Sequence, residues 1–398
     1  KIVIKTASAV VEPVSMEACN IPAQAALVLS GGGARAAYQV GVMKAIGEIL
    51  PSGCANPFPI ICGTSAGAIN AAMLATQADH FTQGVRKLER VWSGLHAEKV
   101  VHVGYGELLA SSLKLLLSFF RSGVTFGRPL SLFDNMPLYH LLLEKIDLQY
   151  LPELIERGYL RALCITAMGY HSGQSISFFQ GNEQIENWHR IHRIGLRENI
   201  THKHLMASSA LPALFPAVHI HREFFGDGAM RQSSPMSAAL HLGAEKILVI
   251  GVSGRRNLGH LSINRDNKVF SPSLAQIFAQ MLNSAFVDSM EEDINMMHRF
   301  NDFVSEFSEE KRQSLHVRSV ETLVISPSVH FDEIATKHID SLPKPLRVFL
   351  KTIGATRPAG GASIASYLLF EETYCKELIE HGYSDCMAQA EKVKNFLA

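Results

Sequence analysis

Apolar runs bounded by turn formers punctuate the chain: "AALVLS" (25–30), "FPIICG" (58–63), "LRALCITAM" (160–168), "QSISFFQ" (174–180), "KILVIGVS" (246–253) and "ETLVISPS" (321–328). Their length and their content of Ile, Leu and Val predict buried strands. Helical spacing fills the intervals, as in Ala37, Val40, Ile46 and Leu50 after the first run and the Ala-rich "SAGAINAAMLATQ" after the second. This alternation predicts an α/β fold with a mainly parallel central sheet wrapped by helices. From 272 to 312 one long helical pattern puts Leu274, Ile277, Phe278, Met281, Leu282, Phe286, Met290, Ile294 and Met297 on one face, which reads as core. Residues 341–363, with prolines and a Gly-Gly pair, read as a loop-rich crossing, and the remainder as two helices split at Gly382. Residues 1–22 read as a tail or leader and 23–398 as a single domain, since no repeat or linker interrupts them.

Composition narrows the class. A chain of 398 residues, 47% hydrophobic and 19% charged, has material for a large core. Its 37 Lys+Arg balance its 37 Asp+Glu, so no net field draws nucleic acid or a strongly anionic surface. Cys19, Cys54, Cys62, Cys164, Cys375 and Cys386 form no CxxC pair and read as reduced thiols in a cytoplasmic protein, without a zinc site. No stretch approaches the roughly 18 apolar residues of a spanning helix. The nearest, "LLASSLKLLLSFF" (108–120), contains Lys114. Leu108, Leu109, Leu113, Leu116, Leu117 and Phe120 share a face there, which fits either a core helix or an interfacial lid.

Two glycine-bearing junctions carry the chemistry. "GTSAG" (63–67) follows a strand and precedes a helix, the context of a G-x-S-x-G nucleophile elbow. Gly63 and Gly67 lack the Cβ atoms that would crowd so sharp a turn, leaving the Ser65 hydroxyl over a helix N-terminus. "GGGAR" (31–35) makes a second such junction. Ligands collect at the carboxyl ends of parallel strands, so amides of Gly31, Gly32, Gly33 and Ala34 are candidate oxyanion donors toward Ser65. A dinucleotide fingerprint is the competing reading, but Ala36 stands where its last glycine belongs, and a Walker loop does not occur there. None of the 18 histidines sits in a recognisable triad turn; His202, His204, His219 and His221 read as surface or satisfied core groups. Asp227, in the Asp-Gly turn of "FFGDGAM", is the sharper partner.

"GGGAR", "GTSAG" and "DGA" (227–229) in this order resemble the patatin-like phospholipase family, as do "ASSALPALFPAV" before the last motif and "SPMSAALHLGAEKILVIGVS" after it. The resemblance runs from about residue 25 to 253 and returns weakly at "ASYLLFEETY". It implies a three-layer α/β/α fold and a Ser–Asp dyad without histidine, with Ser65 as nucleophile, Asp227 as base and the 31–33 backbone as oxyanion hole. It further implies a phospholipid or lysophospholipid substrate, transient contact with a membrane surface, and no cofactor or metal. Many members carry glycine where Ala36 stands, which leaves the acyl preference open. Arg35 either orients the glycine turn or meets a lipid phosphate. An acyltransferase using the same acyl-enzyme, or a lipid-binding protein with a relic site, are the rival functions.

Overall fold

The computed structural model describes residues 24–51, 53–118, 129–232, 234–253, 273–315, 317–355 and 362–398; the expected 1–22 tail lies outside them. The apolar runs are strands β1 (Ala25–Leu29), β2 (Ile60–Thr64), β3 (Ala162–Gly169) and β4 (Ser175–Gly181). Four shorter or more polar strands follow: β5 (Trp188–Arg190), β6 (Arg193–Arg197), β7 (Val218–Ile220) and β8 (Glu223–Asp227). The last two apolar runs are β9 (Lys246–Ile250) and β10 (Glu321–Ile325). Strands β5 and β6 were not legible as strands because arginines and a histidine occupy half of their positions at the sheet edge.

The sheet runs β10-β9-β1-β2-β3-β4-β6-β5, parallel from β10 to β3. Strand β4 is antiparallel to β3, and β8 is also antiparallel to β3. Helices cover both faces. Leu27 and Leu29 of β1 pack into one core with Ile61, while Ala26 and Val28 enter the other with Ile60, Cys62, Ile247 and Val249. This explains why the central strands read as continuous apolar runs: both faces are buried.

Helices α1 (Ala37–Ile49) and α2 (Ala66–Ala75) leave the two glycine turns. Then come α3 (Phe81–Ser93), α4 (Tyr105–Ser118), α5 (Met136–Lys145) and α6 (Leu151–Glu156), all before β3. Helix α4 contains much of the expected lid; Leu108 is buried, Leu109 and Leu113 are exposed, and Phe120 lies outside the described residues. Helices α7 (His202–Ser208) and α8 (Ser237–His241) flank β7 and β8.

The long helical pattern resolves into α9 (Leu274–Asn283), a π turn (Ser284–Asp288) and α10 (Ser289–Ser305), and ends before the separate α11 (Glu309–Leu315). Leu282, Phe286, Met290 and Met297 are buried as expected, but Ile277 and Met281 are 49% and 59% exposed. The wider π turn rephases the buried stripe, so a single α-helical projection misplaces the residues before it. Residues 341–363 are also less loop-like than expected, because α13 (Lys344–Thr352) carries Pro345 in its first turn, where no amide is needed.

The C-terminal part comprises α12 (Phe331–His338), which precedes α13, then α14 (Ala362–Leu368), α15 (Glu372–Met387) and α16 (Ala390–Leu397). Gly382 lies inside α15 rather than between helices. A Cβ there would stand 2.1 Å from Tyr38 O, and one on Gly41 1.9 Å from Ile379 O, so the two glycines let α1 and α15 cross in backbone contact. The cysteines need one correction. Cys62, Cys164, Cys375 and Cys386 are free and buried, but Cys54 is disulfide-bonded.

Candidate active site

Strand β3 brings the two chemical residues together. Thr64, the last residue of β2, is registered with Thr166, and Asp227, the last residue of β8, with Ala167. Because β4 occupies the opposite edge of β3 over these positions, β2 and β8 share one edge and run toward each other along it. Ser65 and Asp227 therefore end on neighbouring rungs.

The elbow places Ser65 at φ 56° and ψ −130°, in the left-handed region a serine seldom adopts. Gly63 and Gly67 permit this, since a Cβ on Gly63 would meet Gly67 O at 2.4 Å and one on Gly67 would meet Leu29 O at 2.3 Å. The Ser65 amide donates to Ser208 Oγ at 2.8 Å, and that hydroxyl donates to Thr166 O at 2.6 Å. Thr64 Oγ1 donates to Gln232 Oε1 at 2.8 Å, tying the end of β2 to the segment after the Asp-Gly turn. Ser65 is the N-cap of α2, whose positive dipole end faces the site.

Asp227 is fully buried. Its amide donates to Ala210 O at 2.8 Å, and its Oδ1 accepts from the Ala229 amide at 3.0 Å. Burial pushes the carboxyl up to about 7, against smaller opposing pulls from Ser65 and the Ala229 amide. Oδ2 closes no hydrogen bond, and Ser65 stands near enough to the carboxyl to act on it. Gly228 lies on β3, where a Cβ would come within 2.2 Å of Thr166 O.

The first glycine turn is fitted against distant parts of the chain. Gly33 has φ 55°, and its Cβ position is occupied by Tyr367 O at 2.2 Å. Gly31 faces Phe286 of the π turn and the Ser65 Cβ, which puts the turn directly beside the elbow. Arg35 donates its amide to Gly32 O at 3.1 Å, whereas the amides of Gly32 and Gly33 meet no acceptor among the described residues. Its side chain is buried: Nε donates to Ser366 Oγ at 2.8 Å, a terminal nitrogen to Asp332 Oδ1 at 2.7 Å, and the guanidinium lies 3.9 Å from the Tyr367 ring centre. These contacts tie Arg35 to α12 and α14.

An apolar channel leaves Ser65 between α2, α3 and α5, with about 740 Å³ of empty space, mouth included. Ile69, Met73, Trp92, Leu138, Leu142 and Phe215 contribute to its wall. Trp92 Nε1 donates to Asn70 Oδ1 at 2.8 Å, Asn70 Nδ2 to Gln39 Oε1 at 2.9 Å, and Gln39 Nε2 to Ser30 O at 2.8 Å. This buried chain links the channel wall to the glycine turn. Ser208, Gln232 and the Gln39–Asn70 pair were not singled out from the sequence, and Phe286 was read only as core. The "ASS" of 207–209 was the one available signal, as part of a resembling stretch. His204 is buried and closes a capping box with Thr201, and it and exposed His221 both face Glu198. Among the described residues no cluster of His, Cys, Asp or Glu is arranged to hold a metal, and no helix is long and apolar enough to cross a membrane.

Residues 27–240 match the family model for patatin-like phospholipase, more than half of the chain, so the protein belongs to the patatin-like phospholipase family. It is 26% identical over 224 residues to a cGAMP-activated phospholipase of Pseudomonas aeruginosa, covering 56% of this chain and 57% of that one. It is 53% identical over 53 residues to Lysophospholipase nte1 of Aspergillus terreus, covering 13% of this chain and 3% of that one. The chain thus spans little more than half of one curated relative and a small part of the other. Among solved structures, VipD from Legionella pneumophila aligns with TM-score 0.36 at 12% identity, over 93% of this chain and 67% of that one. Human GIVD cytosolic phospholipase A2 in complex with methyl γ-linolenyl fluorophosphonate aligns with TM-score 0.39 at 11% identity, over 94% and 59%.

Proposed function

We propose that the protein is a lipid acyl hydrolase that cleaves carboxylic esters of phospholipids or lysophospholipids through a Ser65 acyl-enzyme. The observation that carries this reading is the meeting of Ser65 and Asp227 on adjacent rungs of β3 at the head of an apolar channel. The channel accepts the acyl chain and leaves the ester carbonyl at Ser65. Ser65 Oγ attacks the carbonyl carbon as its proton passes to the open Asp227 Oδ2. The amides of Gly32 and Gly33, with the N-terminus of α2, stabilise the oxyanion. Collapse expels the alcohol, which takes the proton back from Asp227, and a water activated by the same carboxylate then releases the fatty acid. An unperturbed aspartate is a weak base for this step, near 3.9. Burial moves Asp227 to about 7, into the range that suits general base catalysis at neutral pH.

The test is p-nitrophenyl ester turnover without added metal by wild type, Ser65→Ala and Asp227→Asn, with fluorophosphonate labelling in parallel. Both variants are expected to lose turnover, with labelling abolished in Ser65→Ala. Near-full activity in Asp227→Asn would place the base elsewhere. A wild type inert to both ester and probe would favour a relic site, and products in which an added alcohol carries the acyl chain would favour a transacylase. The exposed Leu109 and Leu113 of α4 support transient contact with a membrane surface.

A further inference from the structure

We infer that the amino-terminal end of the sheet carries a second binding site, for a small phosphate-bearing anion. A cavity there, about 900 Å³ with its open mouth included, is lined by Arg161, Trp188, His189, Arg190, His241 and the backbone of Leu242 and Gly243. Arg161 immediately precedes β3, and Gly243 lies shortly before β9, so both stand at the ends opposite Ser65. From Arg161 to Thr166, which anchors the elbow, is five residues of strand, roughly 17 Å. The cavity is therefore separate from the acyl channel.

Its chemistry is the reverse of the channel's. Arg161 donates Nε to Leu242 O at 3.0 Å and has no carboxylate partner among the described residues. Arg190 donates only to the carbonyl of its neighbour His189, at 2.9 Å. Arg193 lies outside the lining and is near enough to Asp293 to pull on its carboxyl, so the cavity's own guanidiniums are Arg161 and Arg190. Glu186 is the carboxylate on the lining, and it leaves the arginines in excess. The wall behind them is rigid, because Trp188 is stacked between Phe179, at 5.2 Å, and His241, at 4.9 Å.

Unpaired guanidiniums held at the rim of a polar cavity recognise oxyanions through paired, charge-assisted hydrogen bonds. Two guanidiniums on one cavity favour a phosphate group, which carries more charge than a lone carboxylate. The phosphate could belong to a soluble metabolite or to a lipid headgroup. A membrane held at this end would face away from Ser65, which favours the soluble source.

The test is calorimetric titration of the full chain with inorganic pyrophosphate in low-salt buffer, alongside Arg190→Ala, Arg161→Ala and the exposed control Arg86→Ala. Saturable binding is expected, weakened about tenfold or more in Arg190→Ala, as loss of a charged hydrogen bond implies, and unchanged in Arg86→Ala. Arg190 is exposed, so its variant reads the site even where Arg161→Ala fails to fold. Cosedimentation with phosphatidylcholine vesicles with and without phosphatidic acid separates the sources. Arg190-dependent capture only by the anionic vesicles, without pyrophosphate binding, assigns the site to a headgroup. Absence of both, equal affinity in Arg190→Ala, or equally tight citrate binding would overturn the inference. Ester turnover is not the readout, so the outcome is independent of the function proposed for Ser65.

Discussion

The two glycine turns at the head of the sheet lie side by side but are constrained differently. At 63–67, backbone meets backbone: the missing Cβ atoms would strike Gly67 O and Leu29 O. At Gly31 and Gly32 the obstacles are side chains, Phe286 Cε1 at 2.2 Å and Val252 Cγ2 at 2.6 Å, and only Gly33 meets a backbone oxygen. The elbow is thus an inflexible piece of main chain that sets Ser65. The other turn is adjusted by its neighbours: the π turn, the segment after β9 and α14. Glycine in one case is required by geometry that cannot yield, and in the other by packing that can.

The hardest challenge to this contrast is Gly67→Ala. It is expected to cost about 3 kcal/mol or more, as overpacking against rigid backbone does, and to remove esterase activity even in molecules that remain folded. Urea unfolding and burst-phase labelling check the two effects separately; a stable, active variant would break the comparison.

Asp227→Asn comes next, with an expected loss of roughly 10²–10⁴ in kcat, typical for a missing general base. The same change should stabilise the fold. Folding raises the Asp227 pKa from 3.8 to about 7, so stability is fully retained below 3.8, is lost as pH rises through 7, and is level above. The loss is on the order of 4 kcal/mol, which asparagine avoids. Denaturation midpoints above neutral pH should therefore be higher in Asp227→Asn than in wild type, with the difference vanishing in acid.

In wild type, kcat/KM is expected to fall about tenfold per pH unit below 7 as that carboxylate is protonated. A pH–rate profile flat down to pH 5 would remove Asp227 as the base. The smallest effect is expected at Gly32→Ala, about 1–2 kcal/mol and less than tenfold in rate, because Val252 can yield. Pairing it with Val252→Ala should restore most of the loss, a rescue for which Gly67 offers no counterpart.

Much of the site was legible in the chain. Gly63, Gly67 and Ser65 declare the elbow, and Asp227-Gly228 declares a turn at a strand end, because both follow from short-range sterics that neighbouring residues spell out. The apolar runs declared the central strands for a similar reason, as strands buried on both faces need no polar alternation. Arg35 was different. Its position placed it at the turn, but nothing nearby in the chain pointed to Asp332, Ser366 and Tyr367, which surround it. Gly382 misled because a glycine inside a helix looks like a break unless the helix crossing it is known.

By itself, then, the sequence determined the local pieces: the buried strands and the two turns, with Ser65 in one of them and Asp227 at a strand end. The tertiary structure alone decided that β2 and β8 meet along one edge of β3, that a π turn sets Phe286 on Gly31, and that burial lifts Asp227 to about 7. It also made the basic cavity at the far end of the sheet, from residues that share no motif. Turns and strands are fixed by neighbours a few residues away, whereas register, desolvation and cavities depend on contacts between segments that only the completed packing brings together.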